Sequence, residues 1–146
     1  MKRSRELQPL SRDHHQALYA ALTLRRASPE NAYQASAAFL GFWREHGQRH
    51  FQIEEEILLP EFVARGGNPR DERVASVLMD HVEIRARVRR LSAETPVAEL
   101  HRLGENLGAH VRFEEDQLFR LIEDELEPDA LAALGEELAR AERGRS

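Results

Sequence analysis

Residues 50–60 read HFQIEEEILLP and residues 110–119 read HVRFEEDQLF. In both, a histidine is followed four residues later by a glutamate: His50 by Glu54, and His110 by Glu114. That spacing stacks the two side chains on one face of a helix. Outward from the first pair, Phe39, Trp43, His46 and Ile57 keep the same three-or-four-residue step; outward from the second, Leu103, Leu107, Leu118 and Leu121 do so. Each stripe is apolar at its ends and polar in its middle. Two further stripes carry one histidine each. His81 interrupts the run Val74, Val77, Leu78, Ile84, Val88 and Leu91, and His14 stands in a row with Leu10, Ala17, Leu18 and Ala21. Polar groups therefore enter the expected core from four helices.

The punctuation between these stripes sets the helix limits. Ser11 reads as the N-cap of a first helix running to about Arg26, with Asp13 in its first turn favourable to the dipole. Ser28–Pro29, Asn68–Pro69 and Thr95–Pro96 each place a capping residue before a proline suited to the first helical position. Helices are thus predicted over 29–59, 69–92 and 96–126, with Pro60 kinking or ending the second and Gly66–Gly67 turning towards the third. Pro128 opens a fifth helix to about residue 143, whose stripe of Leu131, Leu134 and Leu138 packs on the outside of the bundle or on a partner. No stretch alternates with period two, so strands are not expected. The prediction is an all-α fold, an up-down-up-down four-helix bundle over about 11–126 with an additional C-terminal helix, in a single domain spanning 1–146. One mismatch stands out. In a strict antiparallel pair, His14 and His50 would miss each other by roughly 13 Å. Either the second helix overhangs the first, or residues 28–34 form a longer loop.

Composition narrows the chemistry. The chain has 146 residues, 41% hydrophobic and 32% charged, with a net charge of −5 and no cysteine. The charge argues against nucleic acid as a partner, and Arg85, Arg87, Arg89 and Arg90 read as a solvated helix face. Without cysteine there is no disulfide, thiolate nucleophile, iron–sulfur cluster or cysteine-held zinc. No signal-peptide or membrane-spanning run is evident, so a cytoplasmic protein without membrane association is expected.

Burying four imidazoles and two carboxylates together is costly unless each finds a partner. Divalent cations resolve that cost, since they take neutral imidazole nitrogen and ionised carboxylate oxygen, and carboxylates can bridge two ions roughly 3.5–4 Å apart. A lone histidine on an apolar stripe is more often a hydrogen-bonded core residue than a ligand. Two His-x-x-x-Glu pairs plus two more core-facing histidines, one set per helix, point to metal.

The segments SRDHHQAL (Ser11–Leu18), HFQIEEEILLP (His50–Pro60), MDHVEIR (Met79–Arg85) and HVRFEEDQLF (His110–Phe119) together resemble the hemerythrin family, in its subgroup of HHE cation-binding domains. The resemblance implies a carboxylate-bridged, non-haem di-iron centre. His14, His50, His81 and His110 are then terminal ligands, and Glu54 and Glu114 bridge the irons. Zinc or manganese are possible substitutes, because mixed nitrogen and oxygen ligands accept them. Oxygen-carrying hemerythrins place a fifth histidine four residues beyond the one on the third helix, where this chain has Arg85. With an oxo or hydroxo bridge, the six ligands provide about five bonds per iron, which leaves an open position on each six-coordinate ion. His46, on the same face as His50, either fills one of them or lies around the ligands or in the adjoining pocket. His15 is expected at the bundle boundary and His101 at the surface. Glu114 is preferred to Glu115 as the fourth-helix carboxylate, and Glu55, Glu56 and Asp116 read as solvated or as partners orienting imidazoles. Gly104 and Gly108 either permit close helix approach or leave space near the metals.

The expected function is binding of a small diatomic ligand, oxygen or nitric oxide, for sensing, storage or iron and stress handling, by a monomer or homodimer and not by a dedicated enzyme. Two rival readings remain: a di-iron enzyme reducing peroxide or nitric oxide, and a metal-braced interaction module whose fifth helix contacts a partner.

Overall fold

The computed structural model describes residues 2–144, and among these it contains five helices and no strand. After a 3-10 turn at Arg5–Leu7, α1 spans Gln8–Arg25. The second helix, α2, runs continuously from Ala32 to Ala64 as α-helical segments Ala32–Phe42, Gln48–Ile53 and Leu59–Ala64, joined by π-turns at Trp43–Gly47 and Glu54–Leu58. Helix α3 spans Glu72–Arg89. Helix α4 is built from Val97–Phe113, a π-turn at Glu114–Leu118, and Phe119–Glu125. Helix α5 covers Pro128–Arg143. This is the expected all-helical bundle with one further C-terminal helix.

Several boundaries differ from the sequence reading, each for a local reason. Ser11 lies inside α1, and its hydroxyl donates to Glu115 across the bundle at 2.8 Å instead of capping the helix. Residues 28–31 form a turn in which Asn31 Oδ1 accepts from the Ser28 N–H, so α2 begins at Ala32. Asn68 and Pro69 likewise sit in a turn, and Asp71 caps α3 by accepting from the Arg73 N–H at 2.8 Å. Thr95 accepts from the Ser92 N–H, leaving Pro96 at the N-cap of α4. Pro60 neither ends nor begins α2. It falls in the first turn of Leu59–Ala64, directly after a π-turn that has already interrupted the regular i to i−4 bonding, so the helix continues to Ala64.

The apolar core comes in two clusters. One gathers Leu7, Leu10, Ile53, Phe62, Val77, Phe119 and Ile122; the other gathers Ala21, Leu24, Phe39, Trp43, Phe51, Ile84 and Leu103. Helix α5 is committed to the first of these. Leu134 and Leu138 are fully covered by the chain itself, and Gly135 lies so close to Glu6 that a Cβ would meet its Cβ at 2.9 Å. Leu131, the third leucine of the stripe, packs partly against the same cluster. Helix α1 packs most extensively along α4. Gly104 allows it, since a Cβ there would stand 2.7 Å from the Ala21 carbonyl oxygen, whereas Gly108 has ordinary room around it.

Residues 28–31 thus lie outside the helix, and the inner face of α2 begins with the buried Ala35, Ser36 and Phe39. Of the residues placed on inner stripes by periodicity, Leu18 and Leu78 point outward. No helix of the described residues is long and apolar enough to cross a membrane.

Candidate metal centre

Among the described residues seven polar or charged ones are buried, and six of them converge: His14, His50, Glu54, His81, His110 and Glu114. Both glutamates are completely inaccessible. Helix α1 supplies His14, α2 supplies His50 and Glu54, α3 supplies His81, and α4 supplies His110 and Glu114. Two groups result, each with ligand atoms within 4.8 Å of one another: His14, His50, Glu54 and Glu114; and Glu54, His81, His110 and Glu114.

The glutamates belong to both groups through different oxygens. Glu54 Oε2 lies 3.0 Å from His50 Nε2, while its Oε1 lies 3.0 Å from His81 Nε2. Glu114 Oε1 lies 2.9 Å from His14 Nε2, while its Oε2 lies 3.0 Å from His110 Nε2. Each carboxylate thus offers one oxygen to each side. In both α2 and α4 a π-turn begins at this glutamate. Such turns are common at functional sites because they re-aim side chains without ending the helix.

Four further carboxylates fix the rings by binding the nitrogen that faces away from the centre. His14 Nδ1 donates to Glu115 at 2.6 Å, His50 Nδ1 to Asp13 at 3.1 Å, His81 Nδ1 to Glu55 at 2.7 Å, and His110 Nδ1 to Asp80 at 3.0 Å. Around the bundle, each helix gives an acid to an imidazole on a neighbour: α1 to α2, α2 to α3, α3 to α4, and α4 back to α1. A carboxylate only accepts, so Nδ1 carries the proton and Nε2 is left facing the centre. Two of the acids are themselves held. Arg85 binds Glu55 at 3.1 Å and lies over the Phe51 ring, which stacks on His81. Arg3 binds Glu115 at 3.3 Å and lies over Phe119, which stacks on His14.

Burial works to lower the His81 pKa, but the nearby Glu114 and Glu54 carboxylates outweigh it and raise it to about 9. For His110 burial is likewise overcome, chiefly by the Glu114 charge and by Asp80, giving about 10. His14 is raised against burial by Glu114 and Glu115, and His50 well raised against burial by Glu54 and Asp13. Burial pushes the Glu114 carboxyl up, yet the His110 charge prevails and holds it well below the usual carboxylate range. Without metal, protons on the imidazoles hold the carboxylates; a cation would replace those protons.

The fit to cations is visible in what stays unsatisfied. Glu54 Oε1, His81 Nε2, His110 Nε2 and Glu114 Oε2 are buried without a hydrogen-bond partner. They approach in pairs to 3.0 Å, but their lone pairs are not aligned for hydrogen bonds. Buried polar atoms left this way call for an ion or water. Imidazole nitrogen and carboxylate oxygen suit a divalent transition metal.

The remaining candidates separate cleanly. His46 is outside both groups; its side chain is 41% exposed and borders a surface groove. His15, Glu56 and Asp116 are exposed. Glu115 faces His14 Nδ1 from outside the centre. His101 is not free at the surface: its Nε2 donates to the Ala27 carbonyl at 2.7 Å, tying α4 to the end of α1. The sequence reading missed Asp80 and took Asp13 only as a first-turn acid, although each directly precedes a histidine of the centre and α1 begins at Gln8, more than a turn before Asp13. A family model described as the hemerythrin HHE cation binding domain matches residues 9–122. No curated protein and no solved structure matches the chain.

Proposed function

Because the chain belongs to the hemerythrin HHE cation-binding family, we propose that it is a non-haem di-iron protein that binds a small diatomic ligand, oxygen or nitric oxide. His14 and His50 would hold one ion, His81 and His110 the other, and Glu54 and Glu114 would bridge them. The observation that carries this reading is the division of each glutamate's two oxygens between the two histidine pairs. When bound, paired ferrous ions supply the electrons that a diatomic ligand accepts on binding.

The chain's own residues do the rest. The Nδ1-bound acids keep each imidazole in the tautomer whose Nε2 is free to coordinate, and they raise its basicity. Trp43, Phe51, Leu107 and Val111 surround a cavity of about 20 Å³ beside His14, His50 and His110, which suits a guest of one or two heavy atoms. Arg85 binds Glu55 and so occupies the place of a further imidazole without entering either group of ligand atoms.

The test is anaerobic reconstitution with ferrous iron followed by titration with oxygen and with nitric oxide. A saturable spectral change, absent from a zinc-loaded sample, is expected. Full iron loading with no response to either gas would overturn the reading.

A further inference from the structure

The inner cavity is lined by His14, His50 and His110. Outside it, between α1 and α2, lies a groove of about 450 Å³ lined by Tyr19, Ala20, Ala38 and Phe39. Phe42 and His46 belong to the walls of both the groove and the inner cavity. Their rings stand 6.4 Å apart between centroids, and both residues are only half-buried. Grooves elsewhere, at Leu91–Leu103 and at Asp71–Gln117, share no wall residue with the cavity. On the His81 side, Phe51 lies against the imidazole at 3.8 Å and 5°, a stacked contact with no room between the rings.

We propose that the α1–α2 groove is the access route for a small uncharged molecule to the inner cavity beside His14 and His50, with Phe42 and His46 forming its neck. The assignment rests on the small-ligand function proposed above. The outer groove is mostly apolar, so a diatomic molecule partitions into it readily while ions remain in water. Local backbone form makes the neck possible. The π-turn Trp43–Gly47 spans it, and Gly47 lets the Trp43 and Phe42 rings lie flat against the helix, since a Cβ there would stand 2.7 Å and 3.0 Å from them. His46 thereby serves the passage and not the metal, one turn above His50.

Trp43 is the chain's only tryptophan and forms part of the cavity wall, so its fluorescence reports arrivals there. The full chain is loaded with zinc, and Trp43 quenching by dissolved dioxygen is measured. Phe42→Ala should raise the quenching rate constant several-fold, and Ala38→Phe, a change at an exposed position in the groove, should lower it. Val82→Ala on the outer face of α3 should leave it unchanged. Should Phe42→Ala fail to fold, Ala38→Phe decides alone. Unchanged quenching in the groove variants overturns the route, as does a rise in Val111→Ala with none in Phe42→Ala. No iron is involved, so an iron-loaded chain that ignores nitric oxide refutes the functional reading while the quenching result still decides the route.

Discussion

At the His14–His50 position, each Nε2 has a carboxylate oxygen aligned as a hydrogen-bond partner; at the His81–His110 position, neither does. Both histidines of the first position line the cavity, while of the second only His110 does, since Phe51 is stacked directly on His81. The same two glutamates serve both. The contrast teaches that equal ligand sets need not mean equal roles. The second position is where buried groups most need a cation, and the first is where a guest has room. In the proposed centre one ion would anchor the bundle and the other would meet the ligand.

The largest effect should come from erasing what the positions share. Glu114→Ala removes one oxygen from each side and leaves buried imidazolium groups without their partner, a loss of about 3–5 kcal/mol for a broken buried pair. Both ions should be lost, and thermal denaturation should show a correspondingly lower midpoint. His81→Ala should instead spare the ion between His14 and His50. A Glu114→Ala protein that still carries two ions would break the comparison.

Next comes pH in the metal-free protein. His81 and His110 are raised to about 9 and about 10, above the ordinary value of 6.5 that holds once the chain unfolds. Their contribution is fully present below pH 6.5 and disappears as pH rises through about 9 to 10. Melting midpoints of the chelator-treated protein should therefore fall across that alkaline range. The metal-loaded protein should show no such fall, because the cation has already displaced those protons.

Smaller effects sharpen the difference between the positions. Glu55→Gln should weaken the ion held by His81, and Asp13→Asn the ion held by His50, each by about 10–100-fold. Metal titrations that resolve two binding steps would show which step moves. Smallest of all is Arg85→Ala. It frees Glu55 without removing it, and partly exposed ion pairs of this kind contribute about 0.2–1 kcal/mol. A loss of a few-fold in affinity, confined to the step that Glu55→Gln affects, is expected.

Periodicity exposed much of this, because a polar residue on an apolar stripe is conspicuous. His81 among valines and isoleucine, and His110 among leucines, could be singled out without any structure. Asp13 and Asp80 could not. Each sits beside a histidine in the chain but serves a histidine on the neighbouring helix, a relation that only packing creates. The π-turns were equally silent, since their widened bonding depends on tertiary demands at Glu54 and Glu114 and not on residue propensity. They also bear on Pro60, read as a kink or an end of the helix: after the π-turn at Glu54–Leu58 the helix continues past it to Ala64. Spacing put His46 on the face of His50 and left open whether it is a ligand or lies in the surrounding pocket; it borders the groove and contributes to neither group of ligand atoms. The proline-based helix starts erred because Asn31, Asp71 and Pro96, rather than the serine, asparagine and threonine before the prolines, sit at the N-caps.

Two ions held against each other by Glu54 and Glu114 should behave as one magnetic unit. Electron paramagnetic resonance of the iron-loaded, oxidised protein, with iron counted on the same sample, reads this directly. The account predicts about two irons per chain and no resonance from isolated high-spin ferric ions. A full isolated-ion signal, or a single iron per chain, would contradict it.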